Sequence, residues 1–173
     1  MPLIGLKHMM DRRNKMNDSY LDGEIRQDGV GKFYLGWSMD KVIENIDFEY
    51  EVRDYGNTVW LKSENITFLF WKDILKLQSI FVEGNYRGKF MGELGIGVAI
   101  EQIKTIEYAA VEDDNACPYE LPEYPGIKIY IDFKRGPKDS EIVGYISLYW
   151  CGQRIGDETV EDDNWGSIIS FGL

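Results

Sequence analysis

Spacing of apolar residues divides the middle of the chain into recognisable elements. Met39, Val42, Ile43 and Ile46 fall at i, i+3, i+4 and i+7, the apolar face of a short amphipathic helix. Ser38 precedes them as an N-cap, and Asp40 sits where a carboxylate favours the helix dipole. Phe48, Tyr50 and Val52 then alternate with Glu49, Glu51 and Arg53, the period of a half-buried strand. Asp54-Tyr55-Gly56-Asn57 supplies a hairpin turn, and residues 58–62 form the return strand. Residues 66–71 are apolar on both faces, which predicts a central, covered strand. Residues 74–83 follow, with Leu75, Leu77, Ser79 and Phe81 expected on one face. Upstream, residues 31–35 are expected as the first ordered strand, and residues 23–27 as a short edge strand between Asp22-Gly23 and Asp28-Gly29.

The same order recurs downstream. Gly31-Lys32-Phe33 returns as Gly88-Lys89-Phe90, and a glycine-rich passage leads to Gly97, which stands about where Ser38 does. Residues 98–106 carry Ala99, Ile103 and Ile106 on one helical face. Glu107-Tyr108 answers Glu49-Tyr50, and strands are expected over residues 127–133 and 142–150. Ile127, Ile129 and Ile131 alternate with Lys128, Tyr130 and Asp132, while Leu148-Tyr149-Trp150-Cys151-Gly152 answers Ile80-Phe81-Val82-Glu83-Gly84. Neither stretch has much core alone, so packing the two meanders side by side is the natural solution. The pattern predicts an α+β fold of two tandem helix-plus-antiparallel-meander repeats, forming one continuous sheet with the helices on one face. Residues 1–24 are expected as a polar, flexible leader, or as an over-extended start before Met16. Residues 25–87 form the first repeat, and residues 88–173 the second with a tail. In that tail Trp165, Ile168, Ile169 and Phe171 suit a closing strand.

Charge narrows the partners. A net charge of -11, from 19 basic and 30 acidic residues, disfavours nucleic acid and anionic membrane, because few phosphates could be neutralised. It permits a basic protein partner drawn in by long-range attraction, or simply serves solubility. Apolar runs fall far short of the roughly 20 residues of a membrane span. His8 and Asp11-Arg12-Arg13 interrupt any signal-peptide core, so a cytoplasmic location is expected. Cys117 and Cys151 suit two buried thiols there, with a disulfide left open. With His8 as the sole histidine, neither a Cys–His nucleophile nor a zinc site of about four ligands is expected.

Candidate chemistry reduces to glycines and acids. Gly92, Gly95 and Gly97 before an expected helix suit either a phosphate cradle or a tight turn, and the Gly-Lys-Ser/Thr ending of a P-loop is missing. Between Thr105 and Ile127 stand Glu107, Glu112, Asp113, Asp114, Glu120 and Glu123 without a lysine or arginine. Tyr108, Tyr119 and Tyr124 interleave with them, and Pro118, Pro122 and Pro125 stiffen the loop. A calcium cage would need glycine-bent EF-hand spacing, which is absent, and a glycosidase-type carboxylate pair would need a fixed separation. Restrained tyrosines among uncompensated acids suit a protein-binding surface, and a solvated loop without a role is the plain alternative. Glu161, Asp162 and Asp163 echo the Glu112-Asp113-Asp114 run. The candidate contact residues are therefore Glu112, Asp113, Asp114, Tyr119, Glu120, Glu123, Tyr124, Glu161, Asp162 and Asp163. Trp60, Trp71 and Trp150 are expected in the core or between the repeats. Trp37 and Trp165 are placed there too, with surface anchoring as the alternative.

The passage from Gly88-Lys89-Phe90 through Leu94-Gly95-Ile96-Gly97-Val98-Ala99-Ile100-Glu101-Gln102-Ile103 and Glu107-Tyr108, with Tyr124-Pro125-Gly126-Ile127 and Tyr145-Ile146-Ser147-Leu148-Tyr149-Trp150, resembles small bacterial immunity proteins. Those neutralise toxins of the contact-dependent growth inhibition and polymorphic types. The duplicated plan is also similar to beta-lactamase inhibitor proteins, whose sheet grips an enzyme. The resemblance implies a non-enzymatic, monomeric immunity protein that covers the active site of a basic toxin, such as a nuclease, and needs no metal or cofactor. A small-ligand or carbohydrate-binding module using aromatics exposed between the repeats is the alternative.

Overall fold

The computed structural model describes residues 18–111, 119–132 and 141–149. A small antiparallel sheet comes first, made of β1 (Ile25–Arg26), β2 (Gly29–Val30) and β3 (Phe33–Tyr34). Helix α1 (Met39–Asn45) follows, and Ser38 Oγ caps it by accepting from Lys41 N at 3.3 Å. The main sheet contains β4 (Glu51–Asp54), β5 (Thr58–Lys62), β6 (Ile66–Trp71), β7 (Leu77–Val82), β8 (Ala109–Ala110), β9 (Tyr119–Glu120), β10 (Ile127–Ile131) and β11 (Val143–Tyr149). Its spatial order is β4-β5-β6-β7-β11-β10-β9-β8, antiparallel throughout.

This architecture overturns the expected α+β plan. The described residues are mostly β, with one short α-helix, an eight-stranded sheet and a small three-stranded one, so the helix-plus-meander unit does not repeat. The second helix is replaced by one turn of 3-10 helix, Ile100–Gln102. The cause lies in where the backbone spends its hydrogen bonds. Gly97 N donates to Val143 O, Val143 N to Val98 O, and Ile100 N to Glu141 O, at 2.8 to 2.9 Å. Val98 and Ala99 are thereby held against the start of β11, with Ala99 extended and bridged to Ile142. Ala99, at the N-cap position, has no side-chain acceptor to turn the chain inward, whereas Ser38 has one. Downstream, the Glu93 carboxylate accepts from Lys104 N and Thr105 N and fixes the chain in a turn.

The repeated Gly-Lys-Phe motif likewise serves two purposes. Gly31 adopts φ +54 in a left-handed turn. Gly88 is needed for closeness, since a Cβ there would stand 1.8 Å from Gly23 O. Phe33 lies in β3, while Phe90 bridges Ile25 of β1, so the two copies flank opposite sides of the small sheet.

One face of the main sheet is a continuous apolar surface. Leu61, Phe68, Ile80, Leu148 and Ile127 are successive cross-strand partners over five strands, all at most 1% exposed. A second row runs Ile66, Val82, Ile146, Ile129 and Tyr119. The small sheet, α1 and residues 86–106 share one core with this face. Phe33 meets Phe68 at 4.6 Å, and Leu94, Ile100, Ile103 and Ile106 are buried in the same cluster.

Several expected boundaries shift. Packing begins within the expected leader: Asp18–Asp22 is a 3-10 turn, Leu21 is buried, and its carbonyl accepts from Arg87 N and Gly88 N. The strand expected from Phe48 starts at Glu51 and is exposed along its length, because it is the edge. In β7 a bulge between Leu77 and Ser79 breaks the two-residue period. Leu77 therefore faces the core row, while Ser79 and Phe81 face the opposite side.

Phe68 lies at the centre of the first row, so its truncation leaves a cavity that β6 and its neighbours cannot collapse. Phe68→Ala should cost about 3–5 kcal/mol, read as a lower urea midpoint at constant slope. A midpoint within error of wild type would show that the row does not carry the core.

Candidate interaction surface

The acidic, tyrosine-bearing loop meets the sheet at its β8–β9–β10 end. Tyr119 and Glu120 are neighbours on β9 and so point to opposite faces. Tyr119 joins the core row beside Ile129, packs edge-on against Tyr108 at 5.4 Å, and donates its hydroxyl hydrogen bond to Glu141. Tyr124 is half-buried, edge-on to Phe90 at 4.9 Å. These two tyrosines brace the core. Glu120 projects from the other face, where Lys128 is its cross-strand partner, and Glu123 is exposed in the Pro122–Pro125 turn. The structure thus separates the tyrosines from the acids they were grouped with. Glu112, Asp113, Asp114, Glu161, Asp162 and Asp163 lie outside the described residues, as do His8, Cys117, Cys151, Trp150 and Trp165.

The outer face of the sheet carries a second aromatic set. Trp60 stacks on Phe81 at 5.7 Å and donates to Thr58 Oγ1 at 3.0 Å, and Tyr130 stacks on Tyr145 at 3.8 Å. Leu69, Trp71 and Tyr149 lie on the same side, and Lys128 Nζ stands 5.6 Å over the Tyr149 ring. Small Thr67, Ser79 and Ser147 fill the centre. Trp60 and Trp71 are therefore half-buried outer-face residues, outside the inner core. A second alternating set, out of phase with the core residues, was the available signal in β6, β7 and β11. Trp37 is half-buried elsewhere, with Lys41 Nζ 4.0 Å over its ring and Tyr34 5.4 Å away.

Two shallow clefts lie among the described residues. One, of about 190 Å³, is walled by Tyr20, Val30, Lys32, Phe33, Asp47 and Tyr86. The other, of about 170 Å³, joins Glu120, Pro122, Pro125, Lys128 and Tyr149. Both are smaller than the roughly 300 Å³ at which small-molecule sites begin. No described cluster of histidine, cysteine, aspartate or glutamate is arranged to hold a metal ion. No described helix is long and apolar enough to cross a membrane. Gly92 and Gly97 take φ +75 and +80, and a three-residue 3-10 turn follows them, so these glycines shape turns where a phosphate cradle would need a full helix N-terminus.

The Glu141 carboxylate beside Tyr119, assisted by burial, pushes the phenol up to about 12 from its ordinary value near 10. An acid raised in this way keeps its proton longer in the folded chain than in the unfolded one. Its contribution to stability is complete below the unfolded value and is lost as pH rises through about 12. Tyr119→Phe should reduce the alkaline fall in stability measured by urea denaturation across that window. An unchanged slope would remove Tyr119 from the alkaline transition. Compared with protein-family models, with curated proteins and with solved structures, the chain matches none.

Proposed function

We propose that the protein is a non-enzymatic inhibitor of the immunity type, which binds a basic protein toxin through its second half. One observation carries this reading, the uneven charge. Residues 88–173 contain 16 acids against 7 bases, and so hold -9 of the total charge of -11. Arg26–Asp28, Lys32–Asp47, Arg53–Glu51, Lys72–Asp54 and Arg87–Asp22 all fall within residues 22–87. Exposed Glu101, Glu107, Glu120 and Glu123 have no ion-pair partner among the described residues. An acid excess carried by one half of the chain produces a field that accelerates encounter with a cationic surface. A nuclease suits such a field, because its own site is built to hold phosphate.

The test uses the product of the adjacent gene where that product is a toxin domain. A stable complex, and rescue of growth when both are expressed, are the expected results, and failure of both would sink the reading. Within such a complex, Glu120→Lys with Glu123→Lys should slow association about tenfold and flatten its salt dependence. The paired reversals Asp40→Lys and Glu44→Lys on α1 serve as controls for net charge alone. Equal effects from both pairs would show that overall charge, rather than the β9–β10 end, steers the encounter.

A further inference from the structure

We propose that β4 is a self-pairing edge, through which two copies of this chain join their sheets antiparallel about a two-fold axis at Val52. This goes beyond the inhibitor reading and does not depend on it.

Strand β4 bounds the main sheet, with β5 on one side and no described strand on the other. All four of its residues are exposed, and Val52 is 54% exposed despite being apolar. Tyr55 N donates to Thr58 O at 3.0 Å across the hairpin, which sets the phase of the ladder. Arg53 opposite Trp60 and Glu51 opposite Lys62 are then the hydrogen-bonded pairs with β5. Val52 and Asp54 alternate with them and direct their N–H and C=O groups away from the sheet. A row of such groups is a template for another strand.

The side chains select which strand fits. An antiparallel copy must place its own outward-directed residues opposite Tyr50, Val52 and Asp54. Centring the axis on Glu51 opposes Glu51 to itself, and centring it on Arg53 opposes Arg53 to itself. Centring on Asp54 opposes Asp54 to itself, and centring on Tyr50 sets Glu49 against Glu51. The axis at Val52 is free of like-charged pairs. It sets Glu51 against Arg53 of the second copy at both ends, Tyr50 against Asp54, and Val52 against Val52. Glu51 and Arg53 would form a non-hydrogen-bonded pair, the kind in which cross-strand side chains approach most closely. They already meet within one strand, with Arg53 Nη2 2.5 Å from Glu51 Oε1, so both heads lie on the same face and can be shared with the copy. An edge is guarded against pairing by shortness, charge, proline or a bulge, and charge guards least where a second copy brings the opposite sign. Here β4 has alternating opposite charges, regular pairing with β5 and no proline. Its four residues limit the strength of the contact, so self-association should be reversible and should rise with concentration. This revises the expected monomer.

Sedimentation velocity over a concentration series up to the solubility limit should show a monomer–dimer equilibrium. Glu51→Arg and Arg53→Glu should each weaken it about tenfold or more, while leaving the circular dichroism of the folded chain unchanged. The two variants mixed should recover dimers, because each then presents the opposite charges that the other lacks. Val52→Pro removes an outward N–H that the chain's own ladder does not use, and should likewise give a folded monomer. A wild-type chain that remains monomeric throughout overturns the proposal. So does a dimer unaffected by Glu51→Arg and Val52→Pro, or a mixture of the two charge variants that fails to associate.

Discussion

The pairing of β7 with β11 holds the sheet together. Strands β4 to β7 form one meander and β8 to β11 another, and among the described residues the only ladder between the two is at this seam. Its register places Val82 opposite Ile146, Phe81 opposite Ser147, Ile80 opposite Leu148 and Ser79 opposite Tyr149. That register aligns the core row across five strands, since Ile80 and Leu148 link Phe68 on one side with Ile127 on the other. A slip of one residue would turn Leu148 and Ile146 outward and Ser147 inward, replacing buried apolar contacts with a hydroxyl. The apolar pattern of β11 therefore specifies the join as well as the strand.

Much of the sheet was legible because its strands are regular and long enough to show a period. The assignments over 58–62 and 66–71 agree with β5 and β6, and Ser38 gave away the start of α1. The second helix does not form because Ala99, Ile103 and Ile106 keep a helical spacing while Gly97, Val98 and Ile100 hydrogen-bond to the start of β11. Periodicity reports which side chains face the core, and an extended segment crossing a sheet can satisfy it as well as a helix can. The bulge in β7 was invisible for a related reason. Leu77, Ser79 and Phe81 keep a perfect two-residue spacing in sequence, and only the cross-strand partners reveal the change of face.

The candidate surface was legible in composition and blurred in geometry. Acid excess after residue 88 is plain in the sequence, yet nothing there separates Tyr119, which braces the core, from Glu120, which does not. That separation follows from pairing with Ile129 and Lys128, a long-range fact. The exposed character of β4 was hidden similarly. Phe48, Tyr50 and Val52 alternate as a half-buried strand should, but Phe48 and Tyr50 pack near the core before the strand begins, and Val52 stands out on the edge.

The central position of β11 also bears on how the chain reaches its native state. β11 lies between β7 and β10 although every other described strand of the sheet precedes it along the chain. Until it arrives, the first meander ends on an open β7 edge lined by Ile80 and Val82, and the partners it awaits are more than 60 residues away. Closing so long a loop before any ladder bond rewards it makes folding slow, and leaves an adhesive intermediate in the interval. A ribosome would complete residues 143–149 only after exposing that edge, so the yield of soluble protein should depend on translation speed and on chaperones more than on the stability of the finished sheet.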